Sequence, residues 1–106
     1  MLNLRGELNL EDILKIKHLI SEYMKGGLFN IILNMERVSH IHLSGLVVLV
    51  ERAERLQQYK GDLKIVGMSN YMKHIVELTG VSKRLNCYPS QELAEKAFQK
   101  ESVTNG

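Results

Sequence analysis

Leu2, Leu4, Leu8 and Leu10 alternate with Asn3, Arg5, Glu7 and Asn9, and Gly6 interrupts the even set. A period of two marks a strand with one wet face, ending near Leu8. The period then changes. Ile13, Ile16, Ile20 and Tyr23, with Leu14 and Met24 alongside, recur at spacings of three and four, while Lys15, Lys17, Glu22 and Lys25 face water. That spacing predicts an amphipathic helix. Asn9 is its N-cap, Glu11 and Asp12 fall in the first turn where the helix dipole favours negative charge, and Gly26 and Gly27 stop it.

Asn30-Ile31-Ile32-Leu33-Asn34-Met35 is a short apolar run, as expected of a central strand covered on more than one side. Glu36 to His42 reads as a mixed connection. Ser44 then opens a second helix through Leu46, Leu49, Val50, Ala53 and Leu56, with Glu51, Arg52, Glu54, Arg55 and Gln58 as its solvated side. Leu63-Lys64-Ile65-Val66-Gly67 is a third strand. Ser69 caps a short helix carrying Met72, Ile75, Val76 and Leu78 up to Gly80, and Leu85 to Tyr88 is a last short strand. Ser90 starts a terminal helix with Leu93, Ala94, Ala97 and Phe98 inward. The polar run from Glu101 to Gly106 is expected to be a flexible tail behind a single domain spanning residues 1–100. Strand and helix alternate throughout, so the expected class is α/β, with right-handed crossovers, a mostly parallel four-stranded sheet and about four flanking helices.

The length, 106 residues, suits one core. With 44% hydrophobic and 25% charged residues the chain is of ordinary globular composition. Fourteen Lys and Arg are interleaved with twelve Asp and Glu, which lacks the concentrated basic field that nucleic acid demands. The longest apolar stretch, Leu46 to Val50, is far short of a membrane span, so no direct membrane insertion is expected. The first ten residues do not form a signal peptide. The single cysteine, Cys87, gives no internal disulfide and reads as a small, partly buried hydrophobe, and a cytoplasmic location follows as the expectation.

Few residues here suggest bond chemistry. One Cys and four scattered His do not make a metal framework; His40 and His42 read as polar loop residues. No G-x-G-x-x-G or G-x-x-x-x-G-K-[ST] is present, and Leu43-Ser44-Gly45 supplies only part of a nucleophile elbow. The carboxylates Glu11, Asp12, Glu51 and Glu54 lie on helix faces expected to be solvated. Neither cofactor nor metal nor enzymatic activity is therefore expected. What stands out is Val38-Ser39-His40-Ile41-His42-Leu43-Ser44-Gly45-Leu46, a loop feeding a buried strand into the N-terminus of an apolar helix, where unpaired N–H groups point outward. Ser44 is the expected cap, and Leu43 with Val48 the expected hydrophobic staple.

Several pieces of the chain carry a resemblance. Leu4-Arg5-Gly6-Glu7-Leu8 is similar to an L-x-G-E-L strand end, and Ile31 to Met35 followed by Val38 to a central strand and its turn. Ser44-Gly45-Leu46 matches the end of a D-S-[ST]-G-L signature, Gly61-Asp62-Leu63-Lys64-Ile65 a G-x-x-l-x-l step, and Leu78-Thr79-Gly80-Val81 an l-x-g-l stretch. In this order, over nearly the whole chain, they resemble the STAS domain family, named for sulfate transporters and antagonists of anti-sigma factors. The resemblance implies a regulatory, non-enzymatic domain that binds an anti-sigma factor with a histidine-kinase-like ATP-binding fold, and a binding face at Asn9, His42, Leu43, Ser44, Gly45 and Leu46. In the family, phosphorylation of a serine at the start of the second helix breaks such a complex. Here Leu43 occupies that serine's place and His42 that of the preceding Asp, so the usual phosphate switch is not expected; Ser44 and Ser39 are the displaced candidates. The extra edge strand common in the family is also missing, which would leave a sheet edge able to pair with a second copy. Two other functions fit the resemblance less well: an accessory subunit of an ABC lipid transporter, and a small-molecule or nucleotide sensor.

Overall fold

The computed structural model describes residues 1–105. Its strands are β1 (Leu2–Leu8), β2 (Asn30–Ile41), β3 (Asp62–Val66) and β4 (Asn86–Tyr88). Its helices are α1 (Leu10–Lys25), α2 (Leu43–Gln58), α3 (Asn70–Leu78) and α4 (Gln91–Asn105), with a 3-10 turn at Val81–Lys83 that the residue pattern did not announce. The strands pair in chain order, β1-β2-β3-β4, and every pairing is parallel.

Right-handed crossovers between sequential parallel strands send α1, α2 and α3 to one face. On that face Ile31, Leu33, Met35, Leu63 and Ile65 meet Ile13, Ile16 and Ile20 of α1, Leu46, Leu49, Ala53 and Leu56 of α2, and Met72 and Val76 of α3. The other face has only α4, whose Ala94 and Phe98 lie with Tyr88 over Ile32 and Val66. The α/β class and the parallel four-stranded sheet with four helices are as the chain's patterning predicted.

Several local expectations need correction. Glu36 to Ile41 is the second half of β2, not a connection. Leu2 pairs with Leu33 and Leu8 with Ile41, so β1 takes six steps where β2 takes eight. The two surplus residues of β2 fall at irregularities between Asn3 and Arg5 and between Gly6 and Glu7. Such bulges break the polar–apolar alternation by which a strand is recognised. Arg52, expected in water, is buried: it makes a two-pronged pair with Glu51 (Nε–Oε2 2.6 Å, Nη2–Oε1 2.6 Å) and donates from Nη1 to Ser21 Oγ at 2.9 Å, tying α2 to α1. Leu78 and Leu93, expected inward, are exposed, as is Cys87. The expected polar tail begins as helix, since α4 continues to Asn105, and Gly106 lies outside the described residues.

That extension of α4 has a partner within the sheet. Lys64 in β3 is fully buried, and its Nζ donates to Asp62 Oδ2 and to Glu101 Oε1, each at 2.9 Å. The ammonium also lies 4.4 Å from the centre of the Phe98 ring and 5.3 Å from that of Tyr88. Asp62 is buried too and accepts from Gln57 Nε2 (3.0 Å), Asn86 Nδ2 (2.6 Å) and the Leu63 N–H (2.8 Å). A buried cation is tolerable only when paired and hydrogen-bonded in this way, so the cluster fixes α4 and β4 to the centre of the sheet.

Candidate functional site

Because all four strands run the same way, the helices that follow them start along one rim, at the C-terminal ends of the strands. The Leu8–Ile41 pairing sets two turns of that rim side by side: Asn9 leading into α1 and His42 leading into α2. They are finished differently. Asn9 forms a complete capping box, Oδ1 accepting from the Asp12 N–H at 2.9 Å and the Asn9 N–H donating to Asp12 Oδ2 at 3.1 Å. His42, the N-cap of α2, makes no side-chain cap bond, and the first turn of α2 carries no acid.

The expected Ser44 cap is therefore absent. The helix starts one residue earlier than its serine suggests, at Leu43, so Ser44 stands inside the first turn, exposed, with no hydrogen bond from its hydroxyl among the described residues. The staple positions shift as well, to Ile41 and Leu46, both buried, leaving Leu43 out of the expected pair with Val48.

Gly45 and Leu46 also stand corrected as contact residues, because both face inward. A Cβ placed on Gly45 would lie 2.9 Å from Ile13 Cγ1 and 3.0 Å from Ile41 Cγ1, so only glycine lets α2 settle this close to α1 and β2. Leu46 has no exposed surface. Both residues position the turn. Asn9, His42, Leu43 and Ser44 are at the surface, and so is Ser39 on β2.

The exposed part of the rim contains a repetition that the patterning did not reveal. Leu10 and Leu43 are the first residues of α1 and α2, and Leu14 and Val47 follow each by four, on the same side one turn further in. All four are between 50% and 55% exposed. Burying a large apolar side chain fully is worth about 1.5–3 kcal/mol, so covering these four half-exposed ones offers a partner on the order of 3–6 kcal/mol. The signal was present as apolar pairs at i, i+4 lying off the inner stripe. Aromatic rings extend the rim: His40 and His42 meet edge to face at 5.1 Å, and the exposed Tyr71 of α3 brings its hydroxyl 3.5 Å from His40 Nδ1.

The groups whose acidity is displaced all lie elsewhere. The Arg52 guanidinium bonded to Glu51 holds that carboxyl below its ordinary value, within the α1–α2 tie. Burial alone would lower Lys64, but bonds from its ammonium to Glu101 and Asp62 outweigh it and hold Lys64 above its ordinary value. Cys87, though exposed as a residue, borders a shallow hollow lined by Met68, Val76 and Tyr88 together with Lys73 and Glu77, and partial desolvation there pushes its thiol up, toward the unreactive form, against the opposing charge of Lys73. Among the described residues no three His, Cys, Asp or Glu side chains gather as a metal site, and no helix is long and apolar enough to cross a membrane.

The model of the STAS domain matches residues 1–94. An anti-sigma-B factor antagonist of Staphylococcus aureus (strain NCTC 8325 / PS 47) is 25% identical over 88 residues, 83% of this chain and 82% of its own. Among solved structures, the Bacillus cell fate determinant SpoIIAA in its phosphorylated form superposes with a TM-score of 0.68 at 24% identity, over 90% of this chain and 86% of its own. An anti-sigma factor antagonist from Mycobacterium paratuberculosis does so with a TM-score of 0.76 at 20% identity, over 90% and 80%. With a sheet of this order, helices on both its faces and a family model matched along all but the end of the chain, the protein belongs to the STAS domain family.

Proposed function

We propose that this domain is a cytoplasmic regulator that acts by docking its rim onto an anti-sigma factor of ATP-binding, kinase-like fold, and that it does so without the serine-phosphate switch. The observation that carries the reading is Leu43: a half-exposed leucine at the first position of an uncapped helix, flanked by Val47 and by the matching Leu10 and Leu14. An apolar group there rewards burial against a partner and offers no hydroxyl to a kinase. Asn9, His42 and Ser44 supply polar edge contacts, while Gly45 and Leu46 hold the turn from beneath. The partner's name in the curated relatives, anti-sigma-B factor antagonists, supports this choice of partner over a transporter subunit. Release then depends on competition or on the partner's nucleotide state.

Isothermal calorimetry against the anti-sigma factor of the same cell tests the docking. Leu43→Asp should abolish measurable heat while leaving the circular dichroism spectrum intact; undiminished binding would refute the surface. Incubation with that protein and ATP, followed by mass spectrometry, tests the switch: no phosphate on the natural chain, and phosphate on Leu43→Ser. Phosphate on Ser44 or Ser39 of the natural chain would overturn the second half of the proposal. The outer edge of β1 is a further candidate contact, for a second copy of the chain, and light scattering that finds only monomer up to high concentration would dismiss it.

A further inference from the structure

We propose that the bare face of β1 and β2, on the side of the sheet away from α1 and α2, is a binding site for a small phosphate monoester that carries a hydroxyl group. Asn3, Arg5, Asn34, Glu36 and Arg37 line a hollow there of about 530 Å³, within the size range of small-molecule sites. The contacts of α4 with this face centre on Ile32 and Val66, and among the described residues no α4 side chain lines the hollow.

Arg5 and Arg37 are register partners on adjacent strands. Like charges set opposite each other in a sheet are destabilising, and among the described residues no ion pair of either arginine offsets it. The bulge in β2 creates the arrangement. Met35 and Val38 are buried, and the two residues between them, Glu36 and Arg37, are both exposed. Asn34 braces it, its Oδ1 accepting from the Glu36 N–H at 2.9 Å and its Nδ2 donating to Asn3 Oδ1 at 3.0 Å. Gly67, at φ +74°, closes on it from the end of β3: a Cβ there would lie 3.0 Å from the Glu36 nitrogen and 3.1 Å from Asn34 Oδ1. The hollow is thus built on a clamped backbone.

Two guanidiniums side by side offer forked donors that match the oxygens of a phosphate, and Asn3 Nδ2, unpartnered among the described residues, adds an amide donor. Glu36 decides the rest of the ligand. Its carboxylate repels the phosphate oxygens of the ester and of the free ion alike. A hydroxyl on the esterified group, however, donates to it while every free phosphate oxygen stays on the guanidiniums, whereas the P–OH of inorganic phosphate reaches it only by giving up an arginine contact, so the ester is favoured over inorganic phosphate. This site lies apart from the docking rim and does not rest on the docking proposal.

Nitrogen–proton correlation spectra of the full chain, titrated at constant ionic strength with inorganic phosphate, glycerol 2-phosphate and chloride, test it. Saturable shifts centred on Asn3, Arg5, Asn34 and Arg37, tighter for the glycerol ester than for inorganic phosphate and absent with chloride, are expected. Arg5→Gln and Arg37→Gln, at exposed positions, should each weaken binding about tenfold while the melting temperature of the free chain rises slightly, because either change relieves the like-charge pair. Glu36→Gln should tighten inorganic phosphate and erase the preference for the ester. Shifts that grow linearly without saturating, that chloride reproduces, or that survive both arginine changes would overturn the proposal.

Discussion

Removing the buried ammonium of Lys64 is the sharpest test of what holds α4 in place. In Lys64→Met the stem that fills the space beside Phe98 and Tyr88 is kept, and the two carboxylates lose their shared donor. Breaking a buried pair by deleting one partner commonly costs about 3–5 kcal/mol. Here the cost is smaller, because Asp62 keeps three other donors and Glu101 is 49% exposed and returns to water. The lost cation–π contact adds back part of it, giving an expected destabilisation of about 2 kcal/mol. For a domain of this size that is a fall in Tm of roughly 10 °C, measurable by calorimetry at neutral pH. Amide exchange should quicken in α4 and β4 first, since the cluster ties both to β3. A variant as stable as the natural chain, or more so, would show that the desolvation of Lys64 outweighs its partners and that the cluster does not secure α4.

The same cluster sets an alkaline limit: folding holds Lys64 above the ordinary 10.5, so its contribution is complete below that value and is lost as pH rises through the folded one. The stability gap between the natural chain and Lys64→Met should stay constant through neutral pH and shrink in strong alkali; a gap that closes below pH 9 contradicts it. Gly45→Ala gains about 0.5–1 kcal/mol of helix propensity but sets a methyl within 3.0 Å of Ile13 and Ile41, an overpacking cost of about 1–3 kcal/mol. A net loss of about 1 kcal/mol by denaturant unfolding is expected, and a gain would show that α2 has room there. Asn9→Ala removes the capping box and should cost about 1 kcal/mol by the same measurement.

Where the residues spoke clearly, the reason was local. The alternation of Leu2 to Leu8 and the three-and-four spacing of Ile13, Ile16 and Ile20 depend only on which face is dry, and the order of elements followed from them. Asn9 and Ser69 announced their caps because a cap bonds only three residues away. What stayed hidden depends on distant partners. Nothing near Lys64 in the chain announces its partner Glu101, which lies 37 positions on, and Arg52 reads as solvated until Ser21 is brought across from α1. The second half of β2 was masked by its bulges, which only pairing with β1 reveals. At the candidate site the turn was legible, but its sides were not: spacing gave α2 an apolar stripe, and the closeness of Ile13 decided that Gly45 and Leu46 are sealed while Leu43 and Val47 look outward.

Hydrogen exchange of the domain, free and then mixed with the anti-sigma factor proposed as its partner, puts the docking account to the most direct test. Slowed exchange concentrated in residues 9–14 and 42–47, with α4 unchanged, is the predicted footprint. Protection confined to α4 or to the β1 edge, with both helix starts exchanging as in the free chain, would contradict it.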